Sequence, residues 1–106
     1  MSAKVAGRAS LHDMREVLDV LADESMRMSV RRILVDLRQV QEEFEFADHV
    51  VISTHAAVNL AHLEKIASVV AAGRKRGTSE EAARQRGVAL RTFTSEIDAV
   101  EWLEQW

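Results

Sequence analysis

Four histidines, 17 acidic residues and 14 lysines or arginines supply the groups in this sequence that could do chemistry, and there is no cysteine. Without a thiol, a disulfide scaffold, a thiolate metal centre, an iron–sulfur cluster and a cysteine nucleophile are all excluded. His55, Asn59 and His62 fall on one helical face at spacings of four and three, which invites a metal reading. Two imidazoles that share one zinc usually stand four residues apart, on adjacent turns. Here the separation is seven, about 10 Å along a helix axis. Asp48 lies a further seven residues back, and no H-E-x-x-H pattern occurs. The stripe therefore reads as a polar face, with no metal and no cofactor expected.

Asp36 is the best placed single carboxylate, because it ends the apolar run Ile33-Leu34-Val35. Ligands of open parallel sheets bind beyond the carboxyl ends of the strands. A cap, or an ion pair with Arg38, would use the same carboxylate equally well. No acid–base pair can be completed around it, and there is no G-x-S-x-G elbow for Ser-His-Asp chemistry. An enzyme built on Asp36 and the basic loop 74–76 would lack a complete set of catalytic roles.

That loop is Arg74, Lys75 and Arg76, between Gly73 and Gly77. With Arg84, Arg86 and Arg91 against Glu80 and Glu81, the segment from 73 to 91 is locally +4 in a chain of net charge −3. Thr78 with Glu81 forms a capping-box signature immediately after the three cations. Exposed amides at such a helix start could hold a phosphate or a carboxylate. The glycine spacing is not that of a Walker motif. No aromatic residue interleaves with the cations, and the overall balance is acidic, so no specific nucleic-acid partner is expected.

The elements that must position these groups follow from periodicity. Ser10 with Asp13 caps a helix over 11–24, in which Leu11, Met14, Leu18 and Leu21 recur at threes and fours. The branched run after Arg32 predicts a strand over 32–37, covered on both faces. Residues 46–63 read as a helix with Phe46, Val50, Ser53, Ala57, Leu60 and Ala61 on the buried side. Strands over 65–71 and 88–93 enclose a short helix over 78–86, stopped at Gly87. Ser95 with Asp98 caps a last helix. Residues 1–10 are unpatterned and read as a flexible tail, leaving 11–106 as a single domain. The expected fold is α/β, a small sandwich of a largely parallel three-stranded sheet with four helices. Nowhere do 18 apolar residues run together, so no transmembrane segment is expected and a cytoplasmic location is.

Three segments resemble the bacterial STAS-like domains, relatives of the anti-sigma-factor-antagonist and CRAL-TRIO-like domains. They are Arg32-Ile-Leu-Val-Asp-Leu-Arg38, the helix before Gly87, and Val88-Ala-Leu-Arg-Thr-Phe93 followed by Asp98-Ala-Val-Glu-Trp-Leu103. The likeness spans roughly residues 11–103 and implies that Trp102 is a packing residue. Family members begin with further strands, for which this chain offers only residues 1–9. Antagonist domains carry a phosphorylatable serine in a D-S-S-G-like turn. Here Asp48 matches the acidic residue, but His49 stands in the serine's place, so the switch is not carried over.

The resemblance implies a non-enzymatic binding or regulatory module acting through protein contact. Its alternative is a carrier of a small anionic lipid or metabolite. Asp36, Asp48, Arg74, Lys75, Arg76 and Thr78 are the candidate anion or partner contacts, and Phe46, Trp102 and the terminal Trp106 the candidate interface residues. With two sheet edges to protect and no proline to block them, a homodimer is expected.

Overall fold

The computed structural model describes residues 1–41, 44–73, 80, 84–85 and 87–105. Its elements are β1 (Ser2–Arg8), α1 (Leu11–Arg27), β2 (Arg32–Gln41), α2 (Phe46–Asn59), β3 (Lys65–Val69), β4 (Leu90–Phe93) and α3 (Glu96–Glu104). The sheet has the order β1-β2-β3-β4, and every pair is parallel. The three-stranded, four-helix expectation is thus corrected to four strands, with three helices among the described residues. The helix expected over 78–86 lies mostly outside those residues.

The fourth strand comes from the segment read as a tail. Ser-Ala-Lys-Val-Ala-Gly-Arg holds one β-branched residue and no aromatic or other large apolar one, so its strand signal is weak. As an edge strand it buries one side only, through Ala3 and Val5, which pack on the core formed by α1, α2 and β2. The leading strand expected to be missing is therefore present.

Each strand pairs with its neighbour in sequence, stepping across the sheet in one direction. Right-handed crossovers then place α1 and α2 on the same face. Leu18 and Leu21 from α1, and Ala56, Ala57 and Leu60 around α2, meet Ile33, Val35 and Ile66 there. α3 follows the last strand and is no crossover, so it is free to take the other face, where Ala99 packs on Leu34, Ala67 and Val69. Two cations secure it. Arg32 donates to the carbonyls of Leu103 and Gln105, and Lys65 Nζ donates to those of Trp102 (2.8 Å) and Gln105 (2.6 Å). These carbonyls belong to the end of the helix, where intrahelical donors run out and cations are favoured; that of Trp102 also accepts the Gln105 amide.

The start of α1 matches its sequence signature. Ser10 Oγ accepts the Asp13 amide at 3.1 Å, and Asp13 Oδ2 accepts the Ser10 amide at 2.9 Å. The helix ends less comfortably, with Ser29 at φ 55° just beyond it. The left-handed region costs a residue with a Cβ about 1 kcal/mol that glycine does not incur. Ser29→Gly should therefore raise the melting temperature by roughly 4–8 °C, read by calorimetry. No rise would mean that the left-handed turn carries no strain.

Among the described residues, no helix is long and apolar enough to cross a membrane.

Candidate functional site

Asp36 lies on the α3 side of β2, at an irregularity in the ladder. Lys4 and Ala6 of β1 are two apart, but their partners Asp36 and Gln39 are three apart, so β2 carries one extra residue here. The carboxylate serves this bulge. Its Oδ1 accepts the Arg38 amide at 3.0 Å and Arg38 Nε at 3.0 Å, and its Oδ2 accepts Arg38 Nη2 at 2.7 Å. Asp36 is only 7% exposed. The Arg38 guanidinium holds its carboxyl at about 2, against the opposing pull of burial, with the Arg38 amide adding to the effect. Glu96, 3.8 Å from Arg38, completes the cluster. The arrangement shapes a strand, and a carboxyl held as low as that of Asp36 is a poor base at neutral pH.

The histidine stripe is also engaged, though not with solvent alone. α1 lies beside α2. His55 Nε2 stands 2.7 Å from Asp19 Oδ1, and His62 Nε2 stands 2.7 Å from the buried Ser25 Oγ. Asn59 donates to the His55 carbonyl at 2.8 Å. The face read as a polar surface is a helix–helix seam, because a helical projection ranks directions and cannot show which neighbour occupies them.

Phe46 differs most from its expectation. It opens α2 and is 72% exposed, not buried. Asp48 accepts the Glu45 amide at 3.1 Å as part of the α2 capping box, so its carboxylate holds the helix start. Trp102 is half-buried against Phe93, with ring centroids 5.8 Å apart, and Lys65 Nζ lies 4.9 Å from its ring. Arg74, Lys75, Arg76, Thr78 and Trp106 lie outside the described residues.

Two polar atoms on the inner side of α2 were not singled out as a pair. His49 Nε2 and Ser53 Oγ are buried without a hydrogen-bond partner among the described residues, and Ser53 is 2% exposed. Their spacing of four in a helix is the signal that relates them. A buried polar atom without a partner is costly and uncommon in folded proteins.

These features, a four-stranded parallel sheet with α1 and α2 on one face and α3 on the other among the described residues, accord with the comparisons. The family model described as SpoIIAA-like matches residues 1–104. No curated protein and no solved structure matches the chain. STAS-like families of this kind are generally non-catalytic regulatory and protein-binding domains. The match covers nearly the whole sequence, including the β1 segment, and the chain belongs to the SpoIIAA-like family of STAS-like domains.

Proposed function

We propose that this domain is a cytoplasmic regulatory module that works by protein contact, as a homodimer, and meets its partner through the rim around Phe46. The observation that supports the reading is Phe46 itself. A large aromatic ring is ordinarily covered in a folded domain, and exposed aromatic anchors are characteristic of interfaces. Glu42, Glu43, Glu45 and Asp48 surround it in sequence. The surface it fits is an apolar socket rimmed by basic groups, whose approach long-range charge would favour.

The test is site-specific photocrosslinking in cells. Benzoylphenylalanine in place of Phe46 should give a discrete protein adduct, several-fold stronger than the same probe in place of Val20, an exposed residue of α1. Equal labelling at both positions would sink the reading.

Carriage of a small anionic lipid or metabolite is favoured by one observation, the unpartnered His49 Nε2 and Ser53 Oγ. Native mass spectrometry separates the two readings. A retained organic ligand, lost in Ser53→Ala, would support carriage, and a bare polypeptide mass would support contact alone.

A further inference from the structure

The two edges of the sheet are not equivalent. β4 ends it on one side, and the outward amide of Thr92 is taken by Glu80 Oε1 at 2.5 Å. A side chain thus plugs that edge, one of the ways folded proteins prevent strand addition. On the other side β1 pairs with β2 alone among the described strands. Met1 gives its carbonyl to the Leu34 amide (2.9 Å), and the Ala9 amide bonds the Gln41 carbonyl (3.0 Å). Both are odd positions, and the extra residue of the bulge belongs to β2, so the alternation along β1 is kept. In a parallel ladder alternate residues bond to the same neighbour. Ser2, Lys4, Ala6 and Arg8 therefore turn their amides and carbonyls away from the sheet.

We propose that this edge pairs with itself: two copies join β1 to β1 antiparallel, about a two-fold axis at Val5, to form one continuous eight-stranded sheet. The proposal rests on the homodimer reading above and names its surface. The occupant is a second copy because the plugged β4 edge stops β1 from adding head to tail. Only like edges remain, and joining like edges closes a two-fold dimer.

Overlap and charge together select the register: an axis at Val5, the centre of β1, pairs the whole strand. Outward residues must meet outward residues. An axis at Lys4 would set two ammonium groups directly opposite, which is destabilising. An axis at Val5 sets Lys4 against Ala6 and Ser2 against Arg8 of the other copy. Each Lys4 keeps Asp36 as its neighbour across β2. Val5 then meets Val5 as a closely spaced, non-hydrogen-bonded pair, with α-carbons about 4.5 Å apart.

The chain's lack of cysteine makes the test clean. Val5→Cys should form a covalent dimer under mild oxidation, because that pair geometry suits a disulfide. Ala6→Pro removes an outward amide and leaves the β1–β2 bonds in place. It should weaken dimerisation at least about tenfold in sedimentation, with an unchanged circular dichroism spectrum. Should either variant fail to fold, a spin label on the exposed Lys4→Cys should show strong dipolar broadening, as diagonal neighbours lie about 7–8 Å apart. A dimer without crosslink or broadening would overturn β1 pairing and leave the homodimer reading intact. A wild-type monomer up to about 100 micromolar would overturn both.

Discussion

Arg38→Ala should destabilise the fold at pH 7, because it removes the guanidinium that partners the buried Asp36 carboxylate. The substitution leaves Asp36 buried in β2 with two of its hydrogen bonds gone, those from Arg38 Nε and Nη2, and only the backbone amide of residue 38 still donating to it. Breaking one side of a buried pair costs about 3–5 kcal/mol. The loss here falls short of that range because the Arg38 side chain is itself part-exposed, so water can enter the vacated space and screen the charge. The melting temperature should fall by several degrees.

The pH dependence carries the mechanism. The folded carboxyl of Asp36 titrates at about 2, below the roughly 3.9 of an unfolded aspartate. A depressed carboxyl stabilises fully above its unfolded value, and that contribution is lost as pH falls from about 4 toward 2. The wild type loses it over this window. In Arg38→Ala the bare, buried carboxylate gains from protonation instead, so the two proteins should converge. Urea unfolding at about pH 7, 5 and 3 would show it. A gap that stays constant from pH 7 to 3 would mean that the pair does not stabilise the bulge.

Leu60→Ala should cost about 3 kcal/mol, whereas Val58→Ala should change stability by less than about 0.5 kcal/mol. Leu60 is 1% exposed, at the end of α2, in the core with Leu18, Leu21, Ile33 and Ile66. Val58 is 68% exposed. The contrast tests the element as well as the site. Two residues apart, the pair would share a face in a strand and lies on nearly opposite sides of a helix. Similar losses at both positions, measured by denaturant titration, would contradict the helix and its packing.

The sequence alone was enough for α1, its Ser10–Asp13 box, the branched start of β2, and the helix from Phe46. These are local matters. Capping needs residues three apart, and a 3.6-residue period needs only its own segment. It was also enough for Asp36 to stand out, since a carboxylate ending an apolar run must find a partner, and Arg38 lies two residues away.

The rest required neighbours that are distant in sequence. β1 is a strand because β2 offers it a ladder and the core accepts Ala3 and Val5, not because its own residues prefer extension. His55 and His62 lie in a seam only because parallel crossovers lay α1 beside α2. Phe46 points along the buried side of its helix, yet stands at its first turn, where it is largely exposed. Periodicity gives a side chain its direction. What it meets there is decided when the layers are assembled, because burial belongs to pairs of elements and not to one.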